Sequence, residues 1–173
     1  MLGSRMKYSC AFFEDESDPL NKAEDTMLAL CCSRAELNDG QKILELGCGW
    51  GSLSLYLAEH YPSSQITAVS NSATQRTYIE TQAVSRNLHN LSVITADMND
   101  FSTADQFDRV MSIEMFEHMR NHQMLFHRIS GWLKQDGKLF FHIFCHRDMP
   151  YFFETDSEDD WMAKHFFTGG MMP

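Results

Sequence analysis

The spacing of apolar residues along the chain predicts helices that alternate with short strands. Apolar side chains recur every three to four residues in the helical segments, whereas the strand segments are short apolar runs. The predicted helices cover residues 18–37, 53–61, 72–88 and 121–133, and the predicted strands cover 42–46, 65–70, 91–95, 107–113 and 138–145. Because strands separated by helices form right-handed crossovers, we predict an α/β fold with a doubly wound, mainly parallel sheet.

Local signals set the ends of several elements. Asp18 is placed to cap the first helix, with Pro19 in its first position. The run Gln-Asp-Gly at 135–137 predicts a turn between the fourth helix and the fifth strand. Near the end of the chain, residues 154–160 predict an acidic, solvated segment, and residues 161–167 predict the start of another helix.

Length, composition and charge exclude several classes of protein. The 173 residues, 43% of them hydrophobic and 22% charged, suit one compact domain, and no apolar run approaches the ~20 residues that cross a bilayer. Because 24 acidic residues outnumber 14 basic ones, the chain lacks the basic surface of a nucleic-acid binder. No apolar stretch follows Arg5 and Lys7, so a secretory signal is not supported and we expect a cytoplasmic protein.

The cysteines do not form a disulfide or metal-binding pattern. There are five, which is an odd number, and none lies in a CxxC pair. We therefore expect free thiols, with neither a structural zinc site nor another bound metal.

A glycine-rich turn follows the first predicted strand. Gly47, Gly49 and Gly51 alternate with Cys48 and Trp50 at the place where a doubly wound sheet binds its ligand. Glycines allow the backbone to approach that ligand closely. The spacing differs from the GxGxxG of dinucleotide folds, and no GKS or GKT follows it for a nucleoside triphosphate. A purely structural tight turn is the alternative.

A cluster of ionisable residues follows the fourth predicted strand. Glu114, Glu117 and His118 would share one face if the segment were helical, because their spacing is i, i+3 and i+4. Two nearby carboxylates raise the proton affinity of at least one of them, and histidine titrates near neutrality. At the ligand end of the sheet this cluster indicates a general base, although an exposed polar patch has the same composition.

These residues belong to motifs that resemble a known family. The segment 44–51, Leu-Glu-Leu-Gly-Cys-Gly-Trp-Gly, is similar to the first motif of S-adenosylmethionine-dependent methyltransferases. It has the form found in the coclaurine N-methyltransferase and cyclopropane fatty acid synthase group, with the plant coclaurine N-methyltransferases as the nearer branch. Further similar motifs follow the family's order at residues 8–10, 71–75, 112–118 and 166–170.

The resemblance implies a Rossmann-like methyltransferase with S-adenosylmethionine as its cofactor. Gly47 and Gly49 would lie under the methionine part of the cofactor, and Glu45 would lie near its ammonium group. Tyr8 and Ser9 would fold over it. Taken alone, Tyr8 could equally be a packed aromatic residue.

The adenosine part of the cofactor is assigned to a second set of residues by the same resemblance. Asn71 and Gln75 would hold the ribose side, and Asp97 and Met98 stand where the family contacts adenine. Gln75 could otherwise be an exposed helix residue and Met98 a core residue. Asp97 is more informative, because a carboxylate that closes the third strand has no packing role and can accept a hydrogen bond from the adenine amino group.

For the reaction, the resemblance implies methyl transfer to the nitrogen of a small amine, such as a benzylisoquinoline-type alkaloid. An amine is mostly protonated at neutral pH, so a carboxylate or imidazole that removes this proton contributes about 10²–10⁴ in rate. Glu117 and His118 are the first candidates for this role, and Glu114 is the next.

A lipid-modifying enzyme is the alternative that the same group offers. In the fatty acid cyclopropane synthases a buried bicarbonate acts as the base, held by residues that are similar to Cys10, Glu117 and His142. Cys10 and His142 could also be core residues. Those enzymes have glycine where this chain has Glu114, and this difference favours the amine hypothesis.

The resemblance also divides the chain into three parts. Residues 1–17 would close over the cofactor, 18–146 would form the methyltransferase core, and 147–173 would begin the region that encloses the substrate. Because the family enzymes are about twice as long, we expect the final strands of the sheet to be missing. A cofactor-binding fragment without turnover is therefore a third hypothesis.

Overall fold

The computed structural model describes residues 3–154, 163–164 and 169–173. Its helices are α1 (Leu20–Arg34), α2 (Ser52–His60), α3 (Ala73–Ser85) and α4 (His122–Trp132), with a 3-10 turn at Phe116–His118. Its strands are β1 (Lys42–Leu46), β2 (Gln65–Ser70), β3 (Leu91–Thr95), β4 (Phe107–Ile113), β5 (Leu133–His142), β6 (Tyr151–Phe152) and β7 (Met171–Met172). The predicted acidic segment 154–160 and the predicted helix 161–167 lie, apart from residues 154, 163 and 164, outside the described residues.

Five parallel strands form the central sheet, in the order β3-β2-β1-β4-β5. The chain passes from β1 to β2 and β3 on one side, and then returns to β4 on the other side of β1. This reversal confirms the predicted doubly wound, mainly parallel sheet. Strands β6 and β7 pair antiparallel as a separate ribbon. With two residues each, they are too short to show a period in the sequence.

Neighbouring residues of the central strands pack against helices on opposite faces of the sheet. On one face, Ile43 of β1 is buried with Leu28 of α1 and Leu57 of α2. On the other face, Leu44 is buried with Leu125 of α4. Helices therefore cover both faces, as a parallel sheet requires.

Several element bounds differ from the prediction: α1 ends at Arg34 rather than at residue 37, β5 ends at His142 rather than at residue 145, and two of the predicted end signals act differently. Asp18 does not cap α1, because Pro19 is the N-cap residue and α1 has no side-chain cap. Asp18 instead accepts a hydrogen bond from Lys22 Nζ at 2.7 Å. The predicted turn at 135–137 lies inside β5, which begins at Leu133. The register of β5 against β4 shifts there, so the strand accommodates these residues as an irregularity in the ladder.

The helices and thiols agree with the expectations from composition. Within the described residues, no helix is both long and apolar enough to cross a bilayer. The five cysteines all lie in the described part of the chain and are free thiols there. Cys31, Cys32 and Cys48 are buried, whereas Cys145 is exposed.

A buried arginine joins β4 to the end of α1. Arg109 is only 8% exposed, and its Nε donates to the carbonyl oxygen of Ala35 at 2.8 Å. Its Nη2 donates to the carbonyl oxygen of Glu36 at 3.0 Å. These carbonyls follow the last turn of α1, so the arginine satisfies backbone groups that the helix leaves without partners.

Replacing this arginine should destabilise the fold. We expect Arg109→Met to lower the free energy of unfolding by about 2–3 kcal/mol, because it leaves two backbone carbonyls without their charged donor. Urea denaturation measures the change. Arg76→Met is the matched control, since among the described residues the Arg76 side chain bonds to Glu80 in an exposed pair, and such pairs contribute less than about 1 kcal/mol. Equal losses in the two variants would contradict this role.

Candidate active site

A cavity of about 980 Å³ opens at the carboxyl ends of β1, β2, β3 and β4. Its wall contains all nine predicted cofactor contacts and two of the three predicted catalytic residues. These residues are Tyr8, Ser9, Glu45, Gly47, Gly49, Asn71, Gln75, Asp97, Met98, Glu114 and His118. The fold thus brings together, in one cavity, residues from five separate parts of the sequence.

The glycine turn leaves the backbone open to this cavity. Gly47 and Gly49 have φ angles of 81° and 52°, a left-handed conformation that favours glycine. A Cβ atom at Gly47 would lie 2.5 Å from Cγ of Met115, and one at Gly49 would lie 3.3 Å from the ring of Tyr8. Side chains at both positions would therefore be strained; one at Gly47 would also collide with Met115, and one at Gly49 would crowd the Tyr8 ring.

Glu45 places a buried carboxyl group beside the glycine turn. The residue is 3% exposed, and its Oε2 accepts a hydrogen bond from the hydroxyl of Ser54 on α2. Burial raises its pKa to about 7, and the Ser54 hydrogen bond and the nearby Lys7 charge only partly oppose this. The group can consequently change its charge near neutral pH, and a cationic ligand would favour the ionised form.

The N-terminal segment is fixed at the edge of the cavity. Tyr8 Oη accepts a hydrogen bond from Nε2 of Gln75 at 3.2 Å. Before it, Arg5 donates from Nε to Asp25 at 2.6 Å and from Nη1 to Glu59 at 2.8 Å. The segment is therefore held to α1, α2 and α3, while Tyr8 itself stays 63% exposed.

A second polar cluster surrounds Glu114, which lines the cavity. Its Oε1 is 3.3 Å from Nδ1 of His142 and 3.8 Å from Nζ of Lys7. The ligand atoms of Cys10, Glu114 and His142 all lie within 4.8 Å of one another. Burial, with the hydrogen bond to Glu114 and its charge, raises the pKa of the Cys10 thiol to about 11. These three side chains offer a thiol, a carboxylate and an imidazole, which are groups that bind metal ions in proteins.

Glu114 reaches this cluster through an unusual backbone conformation. Its φ angle is 55°, which is uncommon for a residue with a side chain. Its N–H donates to the carbonyl oxygen of His142 at 2.8 Å, which ties the end of β4 to β5. Sequence reasoning did not identify Lys7 as part of the site, because a single lysine in a short N-terminal segment carries no local signal.

Glu117 and His118 occupy different environments. The segment is a three-residue 3-10 turn rather than an α-helix, so the single helical face that their spacing allowed does not form. Glu117 is completely buried, is not among the cavity-lining residues, and accepts the Phe144 N–H at 2.6 Å. Burial raises its pKa. His118 lies on the cavity wall, open to water, yet the surrounding protein lowers its pKa through desolvation.

Comparison with known proteins identifies the family of this chain. The family described as mycolic acid cyclopropane synthetase matches residues 1–173. The chain belongs to this family. It is 42% identical over 172 residues to (S)-coclaurine N-methyltransferase from Thalictrum flavum subsp. glaucum, covering 99% of this chain and 48% of the relative. It is 32% identical to the cyclopropane-fatty-acyl-phospholipid synthase of Escherichia coli (strain K12), covering all of this chain and 43% of the relative.

A solved structure supports the same relationship. The crystal structure of coclaurine N-methyltransferase bound to N-methylheliamine and SAH matches with a TM-score of 0.92 and 42% identity, covering 100% of this chain and 52% of that one. The resemblance inferred from the motifs is thereby confirmed, and so is the Rossmann-like methyltransferase fold. The chain spans about half the length of the curated relatives that it matches.

Glu45 should make the stability of the ligand-free protein depend on pH. Its pKa is about 7 in the folded chain and 4.5 ordinarily, so between these values the folded state keeps a proton that the unfolded state has lost. The stabilising contribution is therefore complete below about pH 4.5 and is lost as pH rises to about 7. A difference of this size corresponds to about 3 kcal/mol.

We expect Glu45→Gln, which keeps an acceptor for Ser54, to remove most of this pH dependence. Urea denaturation between about pH 5 and about pH 8 measures it for both proteins. Glu80→Gln, at an exposed position on α3, should behave like the wild type. If the wild type and Glu45→Gln lose stability in parallel as pH rises, the buried carboxyl is not the cause.

Proposed function

We propose that this chain forms the cofactor-binding part of an S-adenosylmethionine-dependent methyltransferase that acts on the nitrogen of a small, benzylisoquinoline-type amine. The observation that carries the proposal is the shared cavity, in which the glycine turn of β1 and the ionisable residues after β4 line one space. The similarity to alkaloid N-methyltransferases supports the choice of reaction. The divisions at residues 1–17, 18–146 and 147–173 and the cytoplasmic location remain predictions.

The residues around the glycine turn suit S-adenosylmethionine. When bound, this cofactor would supply a sulfonium methyl group that is already electrophilic. The backbone of Gly47 and Gly49 would lie against its methionine part, and the ionised Glu45 would balance positive charge. Tyr8, held by Gln75, would cover it. The protein's remaining task is to align a neutral amine for in-line attack.

His118 and Glu114 are the groups placed to prepare that amine. Both line the cavity, and the lowered pKa of His118 keeps its imidazole neutral and able to accept a proton near pH 7. Glu114 offers a carboxylate that attracts a protonated amine. We assign Glu117 a positioning role, because its carboxylate is buried and holds the Phe144 N–H at the end of β5.

The position of Glu114 also favours an amine over a lipid as the acceptor. The lipid hypothesis needs a bicarbonate near Cys10 and His142. In this chain the carboxylate of Glu114 lies beside those two residues and already pairs with the Lys7 ammonium at 3.8 Å, so a bound anion would compete with it for that charge. The Glu114 carboxylate is therefore already the kind of basic oxygen group, beside Cys10 and His142, that a bicarbonate would provide.

Methyl transfer from labelled cofactor should distinguish the three hypotheses. We expect this chain to bind S-adenosylhomocysteine in a calorimeter and to transfer label from S-adenosylmethionine to a tetrahydroisoquinoline. Label in phospholipid vesicles instead would overturn the amine proposal. Cofactor binding without transfer to either acceptor would identify a cofactor-binding fragment.

Substitutions in the ionisable cluster should separate chemistry from binding. We expect His118→Asn and Glu114→Gln each to lower the rate of amine methylation by about 10²–10³, while the affinity for S-adenosylhomocysteine changes by less than about threefold. Glu117→Gln keeps an acceptor for Phe144 and should lower the rate less than His118→Asn. His127→Asn, on the exposed surface of α4, is the control. A His118→Asn protein with the control's rate would reject the assigned base.

A further inference from the structure

Arg128 of α4 holds the loop that follows β3, and part of this loop lines the cavity. Its Nη1 donates to the carbonyl oxygens of Met98 at 2.8 Å and Asn99 at 3.0 Å. The guanidinium also lies over the ring of Trp132, 5.3 Å from its centroid. Arg128 itself is not among the cavity-lining residues, whereas Met98 and Asn99 are. The arginine therefore acts on the cavity only through the backbone that it holds.

The loop is built around the carboxylate of Asp97. Oδ1 of Asp97 accepts hydrogen bonds from Asn99 N at 2.8 Å and from Asn99 Nδ2 at 2.9 Å. The Asp97 carbonyl oxygen accepts from the N–H groups of Asp100 and Phe101. Oδ2 of Asp97 accepts no hydrogen bond from the part of the chain that the structure describes. One carboxylate oxygen thus fixes the loop, and the other remains available on the cavity wall.

The loop has few other supports. The ring of Phe101 contacts Trp132, with centroids 5.1 Å apart, so α4 supports it through packing as well as through Arg128. The Ala96 N–H donates to the carbonyl oxygen of Ser70 at 2.9 Å and holds the loop only at its start. Among the side chains of the described residues, Arg128 alone donates to the Met98 and Asn99 carbonyls. Without it, the conformation of the Asp97 carboxylate depends on local bonds within the loop.

We propose that Arg128 is a positioning residue for purine recognition, which fixes the loop so that Asp97 discriminates a 6-amino purine from a 6-oxo purine. The inference rests on the proposed function, since it assumes that the cavity takes an adenosyl cofactor. An adenine amino group can donate to Asp97 Oδ2, whereas a 6-oxo group presents an acceptor to the carboxylate. A site that hydrogen-bonds a ligand group discriminates only while its own polar atom stays in place.

Two homocysteine ligands test this discrimination. Calorimetry gives the Kd values of S-adenosylhomocysteine and S-inosylhomocysteine, which differ at the 6-position of the purine. We expect the wild type to prefer the adenosyl ligand by roughly tenfold or more. Arg128→Met keeps an unbranched side chain over Trp132 but has no donors, and it should lose most of that preference. Arg128→Lys retains a charged donor and should recover part of it.

A second measurement reports the loop without any ligand. We expect hydrogen exchange of the Asp100 and Phe101 amides to be faster in Arg128→Met than in the wild type. Arg86→Met is the matched control, because the Arg86 guanidinium bonds to Glu59 on α2 and Gln82 on α3, and to none of the described residues of this loop. It should leave both the ligand preference and the exchange rates unchanged.

The outcomes separate this inference from the proposed function. A wild type that binds neither ligand contradicts the proposed function and this inference together. A wild type that binds both ligands equally, or an Arg128→Met protein with an unchanged preference, overturns the inference and leaves cofactor binding intact. Exchange rates in Arg128→Met equal to those of the Arg86→Met control would also overturn it.

Discussion

The cavity depends on one topological constraint, the reversal at β1 of the direction in which successive strands are added to the sheet. Strands β1 and β4 are parallel neighbours, but the chain leaves β1 towards β2 and enters β4 only after β3 is complete. No connection therefore crosses the gap between their carboxyl ends. The glycine turn that follows β1 and the ionisable segment that follows β4 meet across that gap. Because of this strand order, the two functional parts of the site lie next to each other in space although they are far apart in the sequence.

The carboxyl groups around this gap are maintained at a cost in solvation. Glu45 and Glu117 are both buried, and burial raises the pKa of each. One hydrogen bond to each, from Ser54 or from the Phe144 N–H, offsets only part of this cost. A domain selected for stability alone would fill these positions with apolar side chains. Glu45 lines the cavity, where a group whose pKa is about 7 changes charge near neutral pH and suits a functional role, whereas Glu117 lies behind the wall and holds the Phe144 N–H.

Much of the site could be predicted because its residues follow strands whose apolar runs are visible in the sequence. Asp97 and the glycine turn belong to this class. Glu117 does not belong to it. Glu114 has a positive φ, and the backbone turn that follows it places Glu117 in the interior and His118 at the cavity. Arg128 carried no signal either, since its partners lie about thirty positions earlier in the chain and bond through backbone carbonyls. Such contacts depend on tertiary packing and leave no local pattern.

The charge around Glu114 connects the fold to the choice of acceptor. Lys7 and His142 approach its carboxylate from the N-terminal segment and from β5, and the Cys10 thiol stays protonated beside it. With its own carboxylate in place, the cluster has no need of a separate anion. In the proposed reaction, a protonated amine that enters the cavity would meet this carboxylate and the neutral imidazole of His118, a pair that would first attract the cation and then accept its proton. A neutral lipid double bond would gain nothing from such a pair, which is why the proposed acceptor is an amine.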